Sequence, residues 1–489
     1  MPTNVPPPPI IFDDDFVEHH KVAWRIEQAV EDPNNPLLEP KFPWDDAVVG
    51  CGHGTVLKDP LDGKFKAWTP SISEDLNYTR GQTQFRLTYL ESDDGAAWRR
   101  PELDICSFEG YPKTNILMDF ASGGRATYAS VFIDPQENEE EPYEMFAFRD
   151  AGFRNKNLCV EGFRQTPARD LRDAYRKHYG LYRYRSNDGL HWRGVEGPIA
   201  LKSGDTCYIH RDPEIGYVAH HKDGIPALGG GFVPYDVASG EIRVNFRRTS
   251  SDGTSWTDRQ ILMTPDWQDH QADQIMEVGR YRYRDGFIGL TAIYHAASQT
   301  MNLQFAASKD GIRWWRMLPR VPCLPSRPLG EYGGGMVWPT RTLIEHEGRL
   351  YIYYGALDGL HGDVYLRDQS TLHFHGAWCR ASWETGRLWA AISSEGGMCP
   401  GYLTTQASDV KGKQLFVNAK TRPGGKIEVE LLDESRKNLS GFDREDCRAF
   451  AGDSKSAHIT WKGGQSVPRD GVQARIWITR GYLYGFEWK

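Results

Sequence analysis

The chain has 489 residues, 39% of them apolar and 12% aromatic, with 16 Trp, 23 Tyr, 50 Gly and a formal net charge of −8. That length suits a large domain plus a smaller one. The acidic balance, with no basic run, speaks against a nucleic-acid partner, and no apolar stretch approaches the roughly 20 residues of a membrane span.

The start, MPTNVPPPP, lacks the charged opening and apolar core of a signal peptide. This leaves a cytoplasmic protein, or a secreted or periplasmic one whose leader has been removed. Short period-two runs then follow in groups of three, bounded by Gly, Pro or Asp turns, as strands should be. The first group is HGTVLKD (53–59), KFKAWTP (64–70) and QFRLTYLES (84–92); the second is TYASVFID (127–134), YEMFAFRD (143–150) and GLYRYRS (180–186). The third is TCYIHRD (206–212), GYVAHH (216–221) and IRVNFRRTS (242–250). QIMEVGRYRYR (274–284), GFIGLTAIY (286–294) and MNLQFAAS (301–308) form the fourth. GMVWPTRTLIEHEG (335–348), RLYIYYGA (349–356) and GAWCRAS (376–382) form the fifth. One polar stretch, ARDLRDAYRKHY (168–179), reads as a helix in a long insertion and as a lid or rim element.

Each group ends on the same punctuation. Ser-x-Asp-Gly-x-x-Trp recurs as SDDGAAW (92–98), SNDGLHW (186–192), SSDGTSW (250–256) and SKDGIRW (308–314), with a looser copy, SWETGRLW, at 382–389. Self-similarity at this period marks a repeat architecture. Asp accepts backbone N–H bonds across a tight turn, Gly supplies positive φ, and Trp offers a large apolar face to the next repeat. Five such hairpins predict a five-bladed β-propeller over residues 1–395, with the heptad Trp buried between blades. From about residue 396 the heptad stops. KQLFVNAKT, KIEVELLDES, SAHITWKGG, VQARIWITR and GYLYGFEWK alternate cleanly between GG and DG turns. They predict a C-terminal antiparallel β-sandwich, residues 396–489, acting as a buttress. The fold class expected is therefore all-β.

The eight cysteines (Cys51, Cys106, Cys159, Cys207, Cys323, Cys379, Cys399 and Cys447) contain no CxxC and read as reduced, buried thiols. Among the fifteen His, the adjacent pairs His19-His20 and His220-His221 point to opposite faces of a strand and cannot chelate as pairs. His373 and His375 share a face. No cofactor is expected, with a structural or site metal ion left open.

In a propeller the loops entering the innermost strands ring a central funnel, so acids placed there are the candidates for chemistry. Asp45 and Asp46 precede the first strand of the first group, Asp205 that of the third, Asp273 that of the fourth and Glu331 that of the fifth. The literal Arg211-Asp212-Pro213 follows its strand and reads as an outer hairpin turn. His53 and His361 read as partners for sugar hydroxyls, Arg149 as a partner for a carboxylate or sulfate, and Trp338 as a stacking platform or core residue.

A propeller with DG-x-x-W hairpins followed by a sandwich resembles the invertase and levanase family of glycoside hydrolases. It is similar also to the arabinanase and xylosidase families. NNPLLEP…PWDD (34–46), GTVLKD…GKFKAW (54–68), GGGMVWPTR (333–341), YYGALDGLHG (353–362) and the stretch from GFDREDC (441–447) to LYGFEW (483–488) match uncharacterised relatives of the invertases. The signatures Asn-Asp-Pro-Asn and Glu-Cys-Pro are absent, so the resemblance carries the fold further than the substrate. It implies a nucleophile on the first blade, a transition-state-stabilising Asp on the third and an acid/base on the fourth. By position these are Asp46, Asp205 and Asp273. The last stands where the family has Glu, one methylene longer, which leaves Glu277, Glu331 and Asp269 as alternative proton donors.

The expectation is a glycoside hydrolase, exo-acting on a furanoside or similar terminal sugar of a plant, microbial or algal oligosaccharide. A non-catalytic carbohydrate-binding propeller and a polysaccharide lyase are the alternatives. The sugar, the linkage, the stereochemical outcome and the oligomeric state are left open.

Overall fold

A computed structural model describes residues 6–73, 85–118, 125–150, 180–195, 201, 206–226, 241–361, 375–393 and 399–489. The stretch 168–179, Cys159, Asp205 and His373 lie outside them, as do the side chains of Arg149 and Asp150. Among the described residues the chain is all-β, with short 3-10 turns and no α-helix. Among the described residues no helix is long and apolar enough to cross a membrane.

Three strands open the chain: β1 (Phe16–His20), β2 (Val22–Ile26) and β3 (Val30–Glu31). A first antiparallel unit follows, β4 (Thr55–Lys58), β5 (Phe65–Ile72), β6 (Phe85–Ser92) and β7 (Trp98–Arg99), with β8 (Ile116–Met118) added to β6. The second unit is β9 (Arg125–Ile133), β10 (Tyr143–Asp150), β11 (Gly180–Ser186) and β12 (Arg193–Gly194). The third is β13 (Cys207–Asp212), β14 (Gly216–Pro226), β15 (Glu241–Ser250) and β16 (Gln260–Met263). The fourth holds β17 (Asp273–Val278), β18 (Tyr281–Tyr283), β19 (Gly286–His295), β20 (Thr300–Ser308) and β21 (Trp315–Arg316). The fifth holds β22 (Met336–Pro339), β23 (Ile344–His346), β24 (Arg349–Leu357) and β25 (Gly376–Glu384). Two predicted strands, 274–284 and 335–348, are thus each two, because the chain turns between Val278 and Tyr281 and between Pro339 and Ile344.

The heptads stack these units. In each of the four clear copies the Ser hydroxyl bonds the Asp carboxylate and accepts the Gly N–H. The same carboxylate oxygen accepts the next two N–H groups. The Gly then sits at positive φ, 75° at Gly95 and 76° at Gly253. A Cβ there would meet the preceding unit in the cycle: Tyr353 at Gly95, Trp68 at Gly189 and Phe146 at Gly253. Small size and left-handed φ are both required. Each Trp packs across the same seam. Trp98 lies 5.3 Å from Tyr353 and 5.8 Å from Trp378 of the fifth unit, while Trp314 lies 5.8 Å from His220 of the third. Trp98 is buried, but Trp192, Trp256 and Trp314 are half-buried.

Stacking also explains why whole strands are buried where alternation would predict one wet face. Every residue of β5 is buried, Lys66 included, because units cover both of its sides. Lys66 Nζ lies 2.5 Å from Asp59 and donates to the Tyr143 hydroxyl of the second unit at 3.1 Å, so the buried cation is paired across the seam.

The fifth unit departs from the pattern. Its heptad leads into β26 (Trp389–Ser393), which leaves the unit, and β3 from the start of the chain pairs with β25 in its place. A second sheet takes up β26 with β1, β2, β27 (Gly401–Thr405), β28 (Leu415–Leu432), β29 (Asp453–Ile459) and β30 (Gln473–Trp488). Five separate strands are expected there. Instead β28 spans two of them and β30 another two, and the RPGG segment becomes a register shift between Thr421 and Lys426. The bulge bends the strand without ending it. Residues Pro7 to Ile11 strap the two parts together: Pro8 O accepts the Tyr283 hydroxyl, Pro9 O the Asn418 amide and Ile11 O the Trp389 indole.

Candidate functional site

The first strands of the units gather on one another. Thr55 Oγ1 donates to Ala129 O at 2.7 Å, Ser130 Oγ accepts the Ile209 N–H, and Tyr208 reaches across to Glu277. His53 N donates to Pro339 O, which closes the circuit between the fifth unit and the first. This cyclic contact is consistent with a propeller.

One side chain from each unit meets on the common axis. His53 Nδ1 lies 2.6 Å from Glu277 Oε1, and the Tyr208 hydroxyl donates to Glu277 Oε2 at 3.0 Å. The His53 ring stands 4.7 Å from Tyr128 and 4.8 Å from Trp338. Glu277 is 1% exposed. Burial, and then the neighbouring Glu277 carboxylate, push the Tyr208 phenol well above its ordinary value, so it remains a hydrogen-bond donor. His53 and Tyr128 both hold positive φ, 46° and 55°, a conformation that costs non-glycine residues energy and clusters at functional sites.

Below this ring lies Arg341. Its guanidinium donates to Thr55 Oγ1 at 3.1 Å, Ile209 O at 3.1 Å and Val131 O at 2.8 Å, one bond to each of the first three units. Burial pushes it down to about 9. It acts as a central pin.

Asp273 opens β17, the strand that also carries Glu277. Its Oδ1 lies 2.8 Å from His295 Nδ1, and the Asn302 amide nitrogen lies 2.7 Å from His295 Nε2. With that amide donating, His295 carries its proton on Nδ1 and donates it to Asp273. Asp273 is 10% exposed and His295 27%. The antiparallel register sets Asp273 opposite His295, which makes the contact a consequence of the β17–β19 pairing.

The other predicted residues are distributed as follows. Asp46 is half-buried beside Ala47 and Val48, which pair with Ile72 and Gly376. Asp45 is sealed by Arg100 at 2.7 Å and by the N–H groups of Lys41 and Phe42; burial raises its carboxyl. Trp338 adjoins His53. His361 is half-buried, its ring 4.8 Å from Tyr294. Glu331 is exposed, 4.0 Å from Arg327. Arg149 pairs with Gly180 and Ala126 in β10, its side chain outside the described residues. Asp269 is held by Arg316 at 2.6 Å and Arg320 at 3.3 Å. Asp212 closes the β13–β14 hairpin and binds Arg280 at 2.5 Å; burial opposes its ionisation, yet Arg280 holds the carboxyl low.

His295, Tyr208, Tyr128 and Arg341 escaped the sequence reading. The first had a signal, since pairing GFIGLTAIYH as a hairpin partner of the Asp273 strand sets the two side by side. Among the described residues no cluster of three or more His, Cys, Asp or Glu is placed to hold a metal ion, and the described cysteines are free thiols.

No family model matches the chain, and no curated protein matches it in sequence. Among solved structures it is similar to an N-acetylgalactosamine deacetylase from F. plautii in complex with blood group B trisaccharide, at 14% identity over 73% of this chain and 96% of that one, TM-score 0.47. It is similar to a glycoside hydrolase at 11% identity over 74% and 92%, TM-score 0.45. A third is the β-1,2-mannobiose phosphorylase from Listeria innocua in complex with β-1,2-mannobiose, at 14% identity over 73% and 96%, TM-score 0.42. Likeness at this distance concerns the course of the chain and assigns no residue a role.

Proposed function

We propose that this chain is a glycoside hydrolase built as a five-bladed β-propeller, the five units being its blades and β3 completing the last. In this reading residues 1–395 form the propeller, lending β1, β2 and β26 to the second sheet, and residues 396–489 form a sandwich-like buttress. The substrate is an oligosaccharide with a furanoside or similar terminal sugar, attacked from its free end.

The observation that carries the reading is Asp273: a largely buried carboxyl at the start of the fourth unit's first strand, hydrogen-bonded to a solvent-touched imidazole. A glycosidase needs one carboxyl that can hold a proton over the leaving oxygen and another that acts on the opposite face of the sugar. Asp273 takes the acid/base role and exchanges protons through His295. Asp46 takes the nucleophile or base role and Asp205 stabilises the transition state. Trp338 and His53 at the axis, with Arg149, Glu331 and His361 on the wall, bind the sugar. Glu277, sealed by His53 and Tyr208, shapes the floor.

The test is a screen of aryl glycosides and of plant, microbial and algal oligosaccharides. It is followed by Asp273→Asn, Asp46→Asn and Asp205→Asn on whichever substrate responds. All three should lose turnover while the folded protein still binds that substrate. Full turnover in Asp273→Asn would remove the assignment, and an unsaturated, ultraviolet-absorbing product would replace it with a lyase.

A further inference from the structure

The turn that leads into β17 carries Trp267 at its corner, and this indole is 89% exposed, the most exposed of the large apolar side chains among the described residues. Nothing about the turn itself is loose. Arg320 donates to both oxygens of Asp266, at 2.7 and 2.6 Å, and Arg316 to both oxygens of Asp269, each at 2.6 Å. Inside the turn Asp266 N donates to Asp269 Oδ2, Gln268 N to Asp266 Oδ1 and Asp269 N to Asp266 O. Asp266 is held down to about 2, chiefly by its bonds from Arg320, so that clamp persists through the ordinary pH range. Three residues further on, His270 O accepts the Asp273 N–H at 2.8 Å, and His270 Nδ1 accepts the Ala272 N–H. One hydrogen-bonded segment therefore holds both the turn that presents the indole and the backbone of Asp273.

A large aromatic ring exposed on a preorganised turn, six residues ahead of a candidate sugar-cleaving carboxyl on the same segment, fits a stacking surface for the apolar face of a sugar ring. We propose that Trp267 is a second sugar-binding platform, taking a sugar unit of the substrate beyond the terminal one that occupies the axis. The inference rests on the carbohydrate reading of the axis and extends it from one sugar to at least two. Rigidity is what makes the platform effective, because no loop ordering opposes binding. Trp267→Phe should preserve the platform in part, and Trp267→Ala should remove it with no effect on folding, since the indole packs on nothing that the core requires.

The experiment measures Kd by calorimetry for arabino-, fructo-, manno- and galacto-oligosaccharides of one to five units. It uses the wild type, Trp267→Ala and Trp267→Phe, with KM and kcat on whichever sugars are cleaved. Trp267→Ala should weaken binding of the longer members about tenfold and raise their KM equally. It should leave kcat and every constant for the single-unit aryl glycoside unchanged, with Trp267→Phe in between. If the wild type binds longer sugars through Trp267 but cleaves none, the hydrolase reading falls and the platform stands. If the wild type cleaves them and Trp267→Ala leaves KM and Kd unchanged at every length, the platform falls and the hydrolase stands. Binding of no oligosaccharide by the wild type, or loss of self-association as the sole effect of Trp267→Ala, overturns the platform as well.

Discussion

The fourth unit carries an aspartate at each end, and the two live in opposite chemistry. Asp310, in the heptad beyond β20, accepts the N–H groups of Ile312 and Arg313 and a hydroxyl from Ser308. Although burial works the other way, those bonds hold its carboxyl below the ordinary range. Asp273, at the start of β17, has a titratable side chain for its partner. The register separates them: Asp273 pairs with His295 beside Thr300, whereas Ser308 pairs with Phe287 at the far end of the same sheet. A carboxylate saturated by backbone donors is fixed in one charge state and serves as a fastener. A carboxyl facing an imidazole is the one to which the proposed function gives the acid/base role.

Substitution at both ends breaks or sharpens the contrast. Asp273→Asn should lower kcat about 10²–10⁴-fold on any responding glycoside, the usual worth of a positioned acid/base. Asp310→Asn should leave kcat alone and lower stability by about 1 kcal/mol. Equal kinetic losses at the two sites would erase the distinction.

The fasteners also differ among themselves. Trp98→Ala should cost ~3–5 kcal/mol in urea unfolding, because Trp98 is buried between Tyr353 and Trp378. Trp256→Ala, half-buried, should cost clearly less, and a reversed order would show that the seams do not carry load as their burial implies. Arg341→Met removes the donor from two buried carbonyls and a hydroxyl, and should destabilise by ~2–4 kcal/mol.

The smallest effect concerns pH. Burial pushes the His220 imidazole down to about 3 and that of His221 to about 4. In the unfolded chain both accept a proton near about 6.5. Their contribution to stability is therefore complete above about pH 6.5 and declines as the pH falls toward 4 and then 3, where the unfolded chain binds more protons. His220→Phe should flatten that decline in unfolding curves taken from pH 7 to 4, and an unchanged slope would refute the assignment.

Much of this was legible from residue order because the repeats are local. Asp, Gly and Trp at fixed offsets close a turn, set a positive φ and present an indole whatever surrounds them, so the heptads and the strands before them could be placed from sequence. Asp273 was legible by the same rule, as the acid that opens a strand. The rest depended on contacts between residues far apart in the chain. Glu277 reads as an alternative proton donor until His53, 224 positions earlier, and Tyr208, 69 earlier, close around it. Arg341 resembles any surface arginine in GGGMVWPTR until three other units supply its acceptors. The fifth heptad does not reveal that β3 takes the place left by β26, because an edge strand is chosen by which backbone arrives there. Nor does the alternating pattern of the last ninety residues tell two bent strands from four straight ones, since a bulge preserves the alternation on either side of it. The sequence by itself determined the turn chemistry, the strand periodicity and the acid that opens β17, all set by neighbours a few residues apart. Only the tertiary structure decided which buried charge is sealed, which is pinned and which faces an imidazole, because each depends on the partners that packing brings to it.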